Sequence, residues 1–359
     1  MGDNNGAVEA PEMGLLVDMR SDTVTKPTLE MIQACADAEV DDDVQGRDPT
    51  TQKLEEYVSA LFGKEDAIFV PSGTMANLIA LMTHCPERGS EFIVGDKAHI
   101  YLYEQGGSAQ LAGIHPRVVP NQADGSLALD EVCEAIRVTG NEHFPVTKLV
   151  CIENTQNKCG GRVLDVDYMD KLGMLCQENG LKLHVDGARI MNACAALQVS
   201  PARLTQNCDS VSCCLSKALG APVGSVLIGS SEFIKRARRG RKVLGGSMRQ
   251  NGVIAAMGLY AIQKHAGDNL RNDHKNLKAL AEGLAALPGL EIDMESVQSN
   301  IVYMNTYPIE AKAAASKIAE KGIKINVQGK YRIRCVTHHQ ISKEGIDAAI
   351  AAFSEVFSS

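Results

Sequence analysis

Val211-Ser-Cys-Cys-Leu-Ser-Lys217-Ala-Leu-Gly-Ala-Pro-Val-Gly224-Ser-Val-Leu-Ile228 holds two apolar runs separated by one lysine and a glycine-punctuated turn. A strongly hydrated ammonium is unusual between a buried strand and a tight turn. Desolvation there is expected to lower the amine's pKa and make it a nucleophile that can form a Schiff base. On Lys217 alone, an ordinary strand-end lysine at the surface is the stronger reading. Neighbouring segments reverse it.

Upstream, Leu181-Lys-Leu-His-Val-Asp186-Gly-Ala-Arg189 reads as a second buried strand ending in a carboxylate. A Schiff-base lysine and a strand-end aspartate are the pair a pyridoxal phosphate (PLP) enzyme needs. The lysine holds the aldehyde, and the aspartate keeps the pyridine nitrogen protonated.

The surrounding pattern predicts strands at Ala67–Val70, Glu91–Val94, Lys148–Ile152, Leu181–Val185, Ser210–Leu215 and Ser225–Ile228. Helices are predicted over Thr74–Thr83, Leu129–Val138 and Asp167–Asn179, the last capped by Gly180. Strands alternating with helices argue for an α/β fold with a mostly parallel sheet covered on both faces. From Gly252 the pattern changes: a helical stretch over Val253–Leu287 is broken near Gly267. It is followed by a strand at Ile301–Met304, a helix over Glu310–Lys321, strands at Ile323–Ile325 and Tyr331–Val336, and a helix over Lys343–Phe357. This predicts a smaller C-terminal α+β domain.

At 359 residues the chain exceeds one small core, so two domains are expected. A net charge of -8 and an aromatic content of 4% without Trp argue against nucleic acid or an anionic membrane as partner. Eleven cysteines without CxxC spacing read as reduced thiols rather than metal ligands, and no metal is expected. Met1–Met13 lacks Lys and Arg and is too polar for a secretory signal, and no apolar stretch reaches membrane-span length. A cytoplasmic protein with a disordered N-terminal tail over residues 1–16 is the expectation.

Pro71-Ser-Gly-Thr-Met-Ala-Asn77 follows a strand and opens a helix. The free amides, the glycine and the flanking hydroxyls of Ser72 and Thr74 suit a phosphate, although the motif alone is also a common cap. His99, just after a strand, could stack on a cofactor ring and exchange protons. Arg189 could bond the cofactor's phenolate oxygen, its bland alternative being a surface ion pair with Asp186. Lys235–Lys242 holds six basic residues in eight, normally a solvated helix face, but followed by Gly245-Gly-Ser-Met-Arg249-Gln it could reach an anion in a neighbouring subunit. Arg334, among apolar strand residues, could grip a carboxylate bidentately.

Together with Asp18-Met-Arg-Ser-Asp-Thr-Val-Thr-Lys-Pro-Thr28 and Gly220-Ala-Pro-Val-Gly-Ser225, these segments resemble the L-threonine aldolases in order and content, from about Val17 to the end. The resemblance implies the aspartate-aminotransferase-like fold type I, with an N-terminal arm and large PLP-binding domain over 17–265 and a small domain over 266–359. It implies retro-aldol cleavage of L-threonine or L-allo-threonine to glycine and acetaldehyde. By resemblance Lys217 binds the PLP aldehyde, Asp186 faces the pyridine nitrogen, Arg189 meets the ring oxygen, and Ser72, Gly73 and Thr74 take the phosphate. His99 stacks over the ring, Ser21 and Arg334 grip the substrate carboxylate, and His143 stands near the substrate side chain. His99 and His143 are the candidate bases. Lys242 and Arg249 match residues contributed across a dimer interface, implying a homodimer or homotetramer acting on a small amino acid.

Two positions depart from the family pattern: Gln45 where a tyrosine is usual, and Gln156 where a histidine is usual. They leave room for a related enzyme acting on another 3-hydroxy amino acid or by β-elimination, or for a catalytically weak homologue.

Overall fold

The computed structural model describes residues 16–137 and 140–358. Of the tail expected over 1–16, all but Leu16 lies outside the described residues, as does Val138, the last residue of one expected helix. The strands are β1 Val17–Asp18, β2 Asp66–Val70, β3 Ser90–Gly95, β4 His115–Val119, β5 Val146–Glu153 and β6 Lys182–Gly187. They continue with β7 Ser210–Cys214, β8 Ser225–Gly229, β9 Ile301–Asn305, β10 Ile323–Lys324, β11 Asn326–Val327 and β12 Arg332–Val336.

Seven strands form one sheet in the order β2-β8-β7-β6-β5-β3-β4. All pairings are parallel except those of β8 with β2 and β7. Strands β3, β7 and β8 are buried along their whole length, as expected for strands covered on both faces. The chain turns between β7 and β8: Gly220 donates to the Lys217 carbonyl at 2.8 Å and adopts a left-handed φ of 85°. That conformation favours glycine.

A second core surrounds the antiparallel sheet β11-β12-β9 and the helices Asp268–Ala285, Ala311–Ala319 and Lys343–Phe357. The short β1 pairs with β10, so Val17 and Met19 are buried in this C-terminal core. The predicted break near Gly267 separates the helices Gly252–His265 and Asp268–Ala285.

Differences from the sequence reading are local. The helix from Leu129 ends at Ala135, because Ile136 is already extended. Edge strand β4 carries a proline, an arginine and weak alternation, a pattern that does not read as a strand from sequence. The helices Leu29–Ala36 and Pro49–Leu61 were also missed, although Thr28 and Asp48 cap them through their side chains.

The basic run forms the helix Ser231–Val243, whose inner face is buried. Arg241 is paired with Asp43 at 2.6 Å and Arg238 with Glu55 at 2.9 Å, so part of that charge is structural. All eleven cysteines are free thiols. No helix among the described residues is long and apolar enough to cross a membrane.

Candidate active site

The carboxyl ends of β6 and β7 set the centre, the usual ligand-binding end of a parallel sheet. Alternation along β6 sends His184 and Asp186 to one face, opposite Ser210 and Ser212 of β7 in register. The helix Gly73–His84 covers that face with Asn77. The buried Asp186 accepts from Asn77 Nδ2 at 3.0 Å through Oδ2 and from the Ala188 amide at 3.1 Å through Oδ1. Gly187 lets β6 lie close against β7 here, since a Cβ would lie 2.4 Å from the Ser212 carbonyl.

Arg189 begins the next helix, and its guanidinium is not paired with Asp186. It meets the buried Asp22, from the segment after β1, with Nε to Oδ2 and Nη2 to Oδ1 both 2.7 Å. Asn300 donates to Asp22 as well, at 3.1 Å. Burial works to raise the Asp22 pKa, but the Arg189 charge and hydrogen bonds, with the Lys217 charge and Asn300, hold it well below the usual carboxylate range. Nη1 of Arg189 makes no hydrogen bond among the described residues. Lys217 is half-buried after β7, and its amine makes no hydrogen bond or salt bridge among the described residues.

Ser72 caps the helix Gly73–His84, its Oγ accepting from the Met75 amide at 3.2 Å. The Gly73 and Thr74 amides have no intrahelical partner at this N-terminus. A Cβ at Gly73 would come within 2.7 Å of Cys214 Sγ, so glycine is needed for helix and β7 to approach.

His99 opens a short helix after β3. Its Nδ1 is 2.8 Å from Glu104 Oε1, and its backbone amide donates to Glu153 Oε2 at 2.8 Å. Burial disfavours the charged imidazole, but the Glu104 hydrogen bond and the Asp186 and Glu104 charges outweigh it and raise the pKa. Glu153, across from Asp186 in the sheet, is pushed up to about 7 by burial and by the Asp186 charge. Ligand atoms of His99, Glu104 and Asp186 lie within 4.8 Å of one another. Hydrogen bonds account for that proximity, because Asn77 bridges both carboxylates and His99 bonds Glu104.

Arg334 lies on β12 with Nη1 donating to Asn157 Oδ1 and Nη2 to the Arg20 carbonyl, both at 3.0 Å. The second bond brings it beside Ser21. Its buried Nε has no partner among the described residues.

His143 does not join this cluster within one chain. It is exposed before the amino end of β5, and Glu153, at the other end, is the residue that reaches His99. The eight residues of β5 between them span roughly 25 Å. Lys242 is exposed, and Arg249 is exposed and paired with Asp42 at 2.9 Å. Gln45 is exposed in a turn. Gln156 is fully buried, its amide donating to the Lys97 carbonyl and accepting from the Cys159 amide, both at 2.9 Å. It joins two loops beneath the site.

Sequence reading singled out neither Asp22, Asn77, Glu104 nor Glu153 as contributors. Asp22 and Asn77 stand inside sequence motifs, yet Arg189 and Asp186, which they meet, are more than a hundred residues away.

A model of the beta-eliminating lyase family matches residues 18–307. The low-specificity L-threonine aldolase 1 of Arabidopsis thaliana is 46% identical over 343 residues, covering 94% of this chain and 96% of that protein. The low specificity L-threonine aldolase of Escherichia coli K12 is 43% identical over 342 residues, covering 95% and 99%. Among solved structures, the Leishmania major threonine aldolase superposes with a TM-score of 0.81 at 21% identity, over 95% of this chain and 99% of that one.

Proposed function

We propose, for a chain that belongs to the beta-eliminating lyases and among them to the L-threonine aldolases, the PLP-dependent cleavage of L-threonine and L-allo-threonine to glycine and acetaldehyde. One observation carries this reading: Asp186, Arg189 and Lys217 stand at the carboxyl ends of adjacent parallel strands, each with its chemistry still available.

The residues fit PLP group by group. Lys217 offers an unengaged amine to the aldehyde, and Asp186 a buried carboxylate to the pyridine nitrogen. The unbonded Nη1 of Arg189 suits the ring oxygen. Ser72 and the open amides of Gly73 and Thr74 suit the phosphate, at a Gly73 that tolerates no Cβ. Bound there, PLP supplies the electron sink for the Cα–Cβ bond that breaks.

The chain's own residues do the rest. Arg334 and Ser21 grip the substrate carboxylate and set the orientation of the Cα–Cβ bond. With Nδ1 committed to Glu104, His99 keeps Nε2 for the substrate side and is our candidate to stack on the ring and take the hydroxyl proton. His143, Lys242 and Arg249 serve the site of another subunit, since within one chain they stand away from it or on the surface. An obligate dimer, assembled further into a tetramer, is the state we propose. Free thiols throughout suit a cytoplasmic enzyme.

The test is aldehyde release from both substrates by the PLP-loaded protein, with Lys217→Ala as control. Lysine-dependent acetaldehyde with equimolar glycine is expected. A 2-keto acid and ammonia without aldehyde would mean β-elimination and overturn the aldolase reading.

A further inference from the structure

A hydrogen-bonded chain of side chains runs from the half-buried His84 to the buried Asp186, between the helix Gly73–His84 and the faces of β6 and β7. His84 Nε2 is 2.7 Å from Ser210 Oγ, which is 2.8 Å from His184 Nδ1. His184 Nε2 is 3.1 Å from Asn77 Oδ1, and Ser212 Oγ donates to the same oxygen at 2.9 Å. Asn77 Nδ2 completes the chain on Glu104 and Asp186 at 2.9 and 3.0 Å.

The chemistry fixes every direction in this chain. Two carboxylate oxygens on one side of Asn77 require its NH2 there, so Oδ1 must accept. His184 Nε2 must then carry a hydrogen. His184 has no exposed surface, and burial pulls its pKa down to about 4 against the opposing Asp186 charge, so it is neutral near pH 7. Its Nδ1 is therefore an acceptor, and Ser210 donates to it. With its only hydrogen spent, Ser210 accepts from His84. All donors point toward the carboxylates.

We propose that His184 is a positioning residue: its Nε2–H, with Ser210 fixing the tautomer, locks the Asn77 amide so that both its hydrogens hold Asp186 and Glu104, keeping Asp186 oriented for the pyridine nitrogen. This rests on the PLP reading above and assigns to His184 a role that touches neither cofactor nor substrate. In a His184→Leu variant, Asn77 Oδ1 loses a donor and the Ser210 hydroxyl loses its acceptor. The Ser212 hydroxyl alone then holds Asn77 Oδ1, so the amide keeps Asp186 and Glu104 less firmly oriented.

The experiment compares full-length wild type, His184→Leu, His184→Gln and Ser210→Ala. PLP dissociation constants and steady-state kinetics on L-threonine are measured for each. For His184→Leu, PLP binding should weaken about tenfold and kcat fall about tenfold, with KM within about twofold, the scale of one lost buried hydrogen bond. Glutamine, whose terminal NH2 can reach Asn77, should restore both to within about threefold of wild type. Ser210→Ala should shift both in the same direction by about threefold, and it decides the matter if His184→Leu does not fold. Wild-type PLP affinity and kcat in His184→Leu, or in Ser210→Ala where the leucine variant does not fold, would overturn the proposal. So would a glutamine variant as impaired as the leucine one, which would mark a packing role. Wild type that does not bind PLP would instead overturn the underlying reading.

Discussion

Asp22 and Arg189, 167 residues apart in the chain, meet through two hydrogen bonds of 2.7 Å in a fully buried pair. The pair ties the segment after β1, whose Val17 and Met19 belong to the C-terminal core, to the end of β6. It also commits two of the three guanidinium nitrogens, so the direction of Nη1 is set by Asp22.

Removing Asp22 leaves a buried guanidinium without its counter-charge. Asp22→Ala is expected to cost about 3–5 kcal/mol of stability. Asp22→Asn, which keeps one acceptor, should cost less. Denaturant unfolding of the cofactor-free protein measures both. A loss below about 1 kcal/mol for the alanine variant would show that the pair does not hold Arg189.

Arg334 has two anchored nitrogens, one on Asn157 and one on the Arg20 carbonyl. Lysine offers one ammonium and cannot reproduce a planar fork. Arg334→Lys should raise the KM for L-threonine about tenfold or more, with a smaller change in PLP affinity. A KM equal to wild type would remove Arg334 from carboxylate binding.

His143 can act on substrate only in another subunit's site, given its position before the amino end of β5. Mixed oligomers of His143→Ala and Lys217→Ala should therefore exceed the activity of either variant alone. The site holding Lys217 receives an intact histidine from its neighbour. No gain on mixing subunits shown to exchange would contradict this arrangement.

Asp273 is buried with neither carboxyl oxygen paired among the described residues, and burial together with the Asp22 charge pushes it up to about 8. Its ordinary value is 3.8, so between pH 4 and 8 the folded form holds a proton that the unfolded form has lost. Stability is then fully present below pH 4 and falls as pH rises, by at most about 1.4 kcal/mol per unit. Asp273→Asn abolishes the titration. Its stability relative to wild type should grow from pH 5 to pH 8, followed by thermal unfolding. A pH-independent difference would count against the buried acid.

Gly73→Ala places a Cβ 2.7 Å from Cys214 Sγ. Overpacking of this kind costs about 1–3 kcal/mol. Because the contact lies at the first turn of the helix proposed above to take the phosphate, PLP affinity should fall together with Tm. Undiminished affinity would place the phosphate elsewhere.

The strand-end residues were legible because their signals are local. Apolar runs ending in Asp186 and before Lys217, and the Ser-Gly-Thr turn at a helix start, report strand ends and helix N-termini directly. Helix Lys343–Phe357 was read to the residue, since its apolar period and Ser342 cap lie within it. Arg189 was legible as a cation following β6, but its partner was not. Asp186, three residues away, was the sequence neighbour, and the chain supplies Asp22 instead.

The sequence by itself determined the alternation of strands and helices and the membership of the family. Each follows from side-chain period, turn chemistry or motif order, which need no knowledge of distant neighbours. Only the tertiary structure decided that Asp22 holds Arg189, that Asn77 joins Asp186 to Glu104, and that His143 sits at the far end of β5. Those relations depend on which strands lie side by side and which helix crosses them. Hydrogen bonds form over about 3 Å of space, whatever the separation along the chain.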